Sequence, residues 1–200
     1  MINKNMKEDR LGLEGINYQG CSMKIVDYID CHNIIVEFQD EYKAKVSSAY
    51  HLFQSGTIKN PYHPEVFKVG MIGLKYPSRV NGEKTKEYNA WIQMLRRCYD
   101  DKFNLRERCA TYNNVTCCNE WLNFENFYEW LHNQDNFDKW LNNKGWAIDK
   151  DILIKGNKLY SPDTCCLVPD YINKLFTKSD AQRGNLPIGV IAKDDSFYIS

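Results

Sequence analysis

Long hydrophobic runs are missing from this chain, and no stretch approaches the ~18–20 apolar residues of a membrane span. The start, Met1-Ile2-Asn3-Lys4-Asn5-Met6-Lys7, lacks the apolar core of a secretory signal. No membrane partner is expected, and the cytoplasm is the expected compartment. A charge excess is missing too. Lys plus Arg and Asp plus Glu number 26 each, so the net charge is zero, unlike that of a dedicated nucleic-acid protein. Metal-ligand spacing is also lacking. The eight cysteines fall as Cys21, Cys31, Cys98, Cys109, Cys117-Cys118 and Cys165-Cys166, with no C-x-x-C among them. Adjacent pairs also suit disulfide geometry poorly, so reduced thiols that pack as small apolar groups are expected, and zinc is not.

What is present is apolar and aromatic. At 43% hydrophobic and 14% aromatic, 200 residues supply a packed core. Charge is segregated along the chain. Residues 74–108 hold nine basic and five acidic side chains, a net of +4, and residues 109–149 hold two and six, a net of −4.

Periodicity predicts an α+β chain in which a small β-rich module of the SH3-like kind precedes a larger module. Residues 1–20, polar and glycine-punctuated, read as an arm. Met23–Ile29 and Asn33–Gln39 flank the turn-like Asp30-Cys31-His32-Asn33 and read as a hairpin. Tyr42–Val46 adds a third strand, and Ser47 or Ser48 caps a short helix through Phe53 that Gly56 ends. The module spans 21–60, and Asn60-Pro61-Tyr62-His63-Pro64 opens a linker over 61–84.

The second module, 85–180, opens with a helix from Thr85 or Lys86, carrying Tyr88, Trp91, Ile92, Leu95 and Tyr99 on one face. Further helices are expected at 123–132, 136–141 and 169–177, and strands at 146–148 and 152–154. The five tryptophans, Trp91, Trp121, Trp130, Trp140 and Trp146, all lie here, and amphipathic placement makes each a core residue before a stacking platform.

Three ordered motifs stand out in this module. They are W-x2-M-L-R-R-C-Y (91–99), C-x-E-W-L-x-F-x-N-F-x-x-W (118–130) and I-D-K-D-I-L-x-K-G-N-K-x-Y-S-P-D-T-C-C-x-V-P (148–169). Together they resemble phage-borne homing-endonuclease-like proteins of the HNH superfamily, over about 90 residues. The resemblance implies a ββα-metal unit, in which a strand carries Asp-His, a loop carries Asn and a helix follows. The stretch R-G-N-L-P-I-G-V (183–190) resembles the entry to the DNA-binding domain of plant ethylene-response factors. Residues 181–200 are read as a remnant cut off after one strand, since ten residues hold no strand pair and helix.

By that resemblance Asp149 takes the place of the motif's Asp, and Lys150 that of the general-base His. Asp149, Lys150 and Asn157 are then the catalytic positions, and Asp149, Asn157 and Asp163 the ligands of a magnesium ion. A ββα-metal nuclease needs an imidazole to deprotonate water, whereas an exposed lysine, with a pKa near ~10.4, keeps its proton at neutral pH. None of His32, His51, His63 and His132 falls in the motif. Efficient cleavage is therefore not expected. For Asp149, Asp151 and Asn157 an Asx-turn network stands equal to a metal role. Arg96, Arg97, Lys102, Arg106 and Arg108, with Lys150 and Lys155, are the candidate DNA contacts, against the alternative of a solvated basic face.

DNA is the first expected partner, bound by a phage or mobile-element protein of HNH descent. A host defence nuclease, or its nucleic-acid complex, is the partner of a second reading. In that reading the scaffold is an anti-CRISPR-type inhibitor, and the acidic aromatic stretch 120–141 faces a basic channel. A magnesium-dependent nickase is the third.

Overall fold

The structure, a computed structural model, describes residues 4–104, 114–154, 156–176, 190–193 and 196–199, and the chain is of mixed α+β class. It divides into two compact units, Met1–Pro77 and Ser78–Ser200. Among the described residues no helix is long and apolar enough to cross a membrane.

The first unit runs α1 (Lys4–Arg10), β1 (Glu14–Ile16), β2 (Ser22–Asp30), β3 (Asn33–Phe38), β4 (Lys45–Ser48) and α2 (Tyr50–Gln54). The four strands form an antiparallel sheet in sequence order. In β3 the alternation is regular, and Ile34, Val36 and Phe38 are fully buried. In β2 it breaks. Met23 and Ile25 face inward, and the next buried residue is Tyr28, three positions on rather than two. A register shift between Ile25 and Asp27 accounts for this, because the extra residue of a bulge keeps the Asp27 carboxylate out of the core. Phe53 of α2 and Ile58 close the cluster.

Three expectations are corrected here. Residues 1–20 hold a helix and a fourth strand, with β1 pairing Glu14 to Lys24. They are also fastened by Arg10, which donates to the Tyr28 hydroxyl at 2.6 Å and lies 3.9 Å from the Tyr50 ring centre. The strand expected at 42–46 lies at Lys45–Ser48. The helix after it is capped by Ala49, with no side-chain hydrogen bond, rather than by a serine.

Residues 61–77 belong to the first unit and 78–84 to the second, so the stretch read as a linker is shared between them. Asn60, 1% exposed, anchors the former part. Its backbone N–H donates to Gln19 Oε1 at 2.7 Å, and its side-chain amide donates to Asp40 at 2.6 Å. Beyond it, Gly73 donates to the Pro61 carbonyl at 3.0 Å and Val66 bridges Gly70.

The second unit opens with a hairpin, β5 (Arg79–Val80) and β6 (Glu83–Lys84). Asn81 and Gly82, at φ 51° and 84°, form the turn, a left-handed pair that Asn-Gly tolerates best. Then come α3 (Lys86–Tyr99), α4 (Asp101–Asn104), β7 (Thr116–Cys117), a 3₁₀ turn (Asn119–Leu122), α5 (Phe124–His132) and α6 (Phe137–Asn142). The chain continues through β8 (Trp146–Asp149), β9 (Leu159–Tyr160), β10 (Cys166–Pro169), α7 (Asp170–Phe176), β11 (Val190–Lys193) and β12 (Ser196–Ile199). Thr85 caps α3 by accepting from the Tyr88 N–H at 3.2 Å, and Asn123 caps α5 by accepting from Glu125 at 2.9 Å.

The core of this unit is aromatic. Trp91 is fully buried against Tyr88 and Phe124, and its indole N–H donates to the Trp121 carbonyl at 2.7 Å. Trp121 and Trp140 are also buried, as expected, whereas Trp130 and Trp146 are half-buried. Lys86 fixes α6 by donating to the carbonyls of Trp140, Leu141 and Asn143, placing a cation at the negative end of that helix.

Two strand expectations fail. Residues 152–154 are bends, and β8 pairs instead with β10, Asp149 opposite Cys166. The terminal stretch holds a strand pair, β11 with β12, where a single strand was expected. Residues 183–189 lie outside the described residues.

Candidate nucleic-acid interface

From β8 to α7 the chain makes an antiparallel strand pair followed by a helix, and β9 lies in the chain between the two strands. Alternation along β8 puts Trp146, Ile148 and the next residue, Lys150, on one side and Ala147 and Asp149 on the other. That parity decides the fate of the motif's two charged residues.

Asp149 ends the strand and turns the chain. Its Oδ1 accepts from the backbone N–H groups of Asp151, at 2.7 Å, and Ile152, at 2.8 Å, an Asx turn. Lys150 points inward and is 6% exposed. Its ammonium donates to Asp151 Oδ2 and to the Asn157 carbonyl, both at 2.7 Å, and lies 5.9 Å from the Tyr160 ring centre. Asn157 returns the contact. Its amide donates to the carbonyls of Lys150, at 2.9 Å, and Leu159, at 2.6 Å, and its Oδ1 accepts from the Leu159 N–H at 3.0 Å. Lys150 and Asn157 thus cross-brace the two ends of one loop.

Asp163 stands apart, exposed in a turn held by Thr164. Thr164 Oγ1 accepts from the Ser161 N–H at 3.1 Å and donates to the Leu159 carbonyl at 2.7 Å. Among the described residues, no group of three or more His, Cys, Asp and Glu side chains could hold a metal ion. Asp149 Oδ1 accepts two backbone N–H groups and the Asn157 amide oxygen accepts one, which supports a turn role for both residues. Nor is Lys150 placed as a surface phosphate contact, since its head group is enclosed by the loop it braces.

The basic candidates divide. Arg96 pairs with Asp100 at 3.4 Å, an i,i+4 contact that offsets its charge, and lies over the Phe103 ring. Arg97 is half-buried and donates to the Tyr160 hydroxyl at 3.3 Å. Lys102 is exposed. Arg106, Arg108 and Lys155 lie outside the described residues.

Burial raises the thiols. Cys98 and Cys165 are pushed up to about 12 from 9.0, and Cys117 is raised by the same cause. They stay protonated at neutral pH, so they are poor nucleophiles.

Replacing Lys150 with methionine is expected to lower the stability of this unit by about 2–3 kcal/mol, because the Asn157 carbonyl is left unsatisfied beneath the loop. Urea unfolding followed by tryptophan fluorescence measures it, and a loss under about 0.5 kcal/mol would show that the brace is unimportant.

Tyr160 is the residue that sequence reading missed. It is 3% exposed, touches both Arg97 and Lys150, and lies on a strand that pairs in parallel with β7, more than forty residues earlier. Two-residue strands leave no periodicity to detect, so its place in the 148–169 motif gave it no role.

Compared with protein-family models, with curated proteins and with solved structures, the chain matches none.

Proposed function

We propose that the second unit is a degenerate HNH-like module that binds DNA and does not cut it efficiently, in a protein of phage or mobile-element type. The SH3-like β-rich module serves as an accessory grip. One observation carries the reading: the position that the resemblance gives to a general base holds a lysine turned inward as a structural brace. An ammonium so placed offers donors only and cannot take a proton from water. The order of strand, Asp149, loop with Asn157, strand and helix supports descent from the ββα unit, and the turn hydrogen bonds of Asp149 and Asn157 support loss of the metal.

Gel shift and plasmid nicking on one sample, with and without magnesium, test this. The expected result is a salt-sensitive shift without nicks. Lys150→His should gain no nicking, because position 150 faces inward and Asp149 and Asn157 serve the turn. Magnesium-dependent nicking by the wild type, abolished by Asp149→Ala, would overturn the reading. Tight binding to a defence nuclease with no DNA affinity would favour the inhibitor instead.

Within this reading the basic residues differ in weight. Lys102→Ala should flatten the dependence of log K on log salt by about one unit, as loss of one phosphate contact does. Arg96→Ala should change it less, since Asp100 already offsets that charge. Equal slopes for wild type and both variants would mean that the surface is merely solvated.

A further inference from the structure

Between α3 and β8 lies a half-open hollow of about 230 Å³, wholly within the second unit. Its composition is unusual for a helix–strand interface. The apolar stripe of α3, with Trp91 and Leu95, is spent on the aromatic core, and the face turned to the hollow carries Asn89, Ala90, Gln93 and Arg97. Opposite stand chiefly Trp140, Trp146, Ile148 and Tyr160. Ala90 contributes to the space, since its methyl group leaves a gap that a larger side chain would fill.

Among the described residues neither the Asn89 nor the Gln93 amide has a hydrogen-bond partner in the protein, although Gln93 is half-buried. Each amide offers a donor and an acceptor side by side. Arg97, steadied by the Tyr160 hydroxyl at 3.3 Å, adds a fixed positive charge to the lining. Flat aromatic walls, paired amides and the charge of Arg97, with Lys86 also in the lining, define a ligand that is planar, has hydrogen-bonding edges and carries an anion. The volume lies below the ~300–1,000 Å³ of pockets for drug-sized ligands, which limits the occupant to one ring system.

We infer that this hollow binds a single nucleobase with its phosphate, stacked on Trp146 and read at its edge by Gln93 and Asn89. Adenine is the preferred base, because an amide matches its adjacent amino group and ring nitrogen. The inference rests on the nucleic-acid reading above for one of two sources, an unpaired base in a strand. A free nucleotide presents the same chemistry.

Tryptophan fluorescence of the full chain is titrated with AMP, with a single-stranded oligo-dA and with a duplex of the same sequence. AMP and oligo-dA are expected to quench. Gln93→Ala and the hollow-filling Ala90→Leu should each weaken that binding by about tenfold or more, as loss of base stacking or edge contacts does. Leucine suits a helix, so Ala90→Leu should not lower the melting temperature, which separates lost binding from lost folding. Trp146→Phe should remove most of the quenching while the protein stays folded. Quenching by AMP but not by oligo-dA assigns the hollow to free nucleotide and sinks only the DNA reading. A duplex shift with no response to AMP or oligo-dA sinks the hollow and leaves DNA binding intact. Unchanged affinity in both Gln93→Ala and Ala90→Leu would also overturn it.

Discussion

Trp91→Ala is expected to cost about 3–5 kcal/mol and to unfold the second unit while the first unit's sheet persists. The indole is 0% exposed, meets Tyr88 and Phe124 at ring-centre distances of 5.7 and 5.5 Å, and closes the α3–α5 contact. Truncation leaves a cavity at the centre of an aromatic cluster whose rings cannot collapse into it. It also strips the Trp121 carbonyl of its 2.7 Å donor. A loss of that size is comparable to the whole stability of many domains. Hydrogen exchange resolves the two units. Amides of α3 and α5 should lose protection, while those of β2 and β3, whose core is drawn from Met23 to Ile58, keep it. Uniform loss across both units would show that they fold as one, and retained protection in α5 would show that the cluster repacks. Trp91→Phe, which keeps a ring and loses the hydrogen bond, should fall between.

The largest response to solution conditions is expected at alkaline pH. Burial pushes Cys98 and Cys165 up to about 12 from 9.0 and raises Cys117 in the same direction. Below the unfolded value both states hold these protons and the thiols favour neither. Above it the unfolded chain ionises while the folded thiols stay neutral. The folded state then binds more protons, and stability falls as pH rises until the folded thiols ionise in turn. The window therefore opens near 9 and extends to about 12. Each thiol contributes a slope of at most about 1.4 kcal/mol per pH unit. Urea unfolding at intervals across that window measures the slope, and Cys98→Ala should flatten it by the share of one thiol. A flat profile, or rapid alkylation of the native thiols at neutral pH, would show that they are not shielded from water.

Helices were the most legible part of the fold. The 3.6-residue stripe through Tyr88, Trp91 and Leu95, with Thr85 before it, gives α3 its boundaries, and Asn123 does the same for α5. Cap and stripe are local signals, so these elements lie where the sequence puts them. The β3 strand, alternating from Ile34 to Phe38, is equally plain. Strands of two or three residues carry no such signal. β1, the β5–β6 hairpin and the β7–β9 pair are defined only by their partners, and the β8 strand takes its partner from β10 rather than from the nearer 152–154.

The motif around Asp149, Lys150 and Asn157 was visible as a set of residue types, and the two readings left open for it were a turn network and a metal site. The tertiary structure favours the turn network because backbone donors reach Asp149 first and the parity of β8 turns Lys150 inward. The face of α3 that the core did not need borders the hollow beside Gln93. Sequence alone determined the α+β class, the aromatic centre around Trp91 and the starts of α3 and α5, since each follows from periodicity and capping within a few turns of chain. Which charges face solvent, which oxygens are already taken and where space remains were decided by tertiary structure alone, because each depends on groups brought together from residues far apart in sequence.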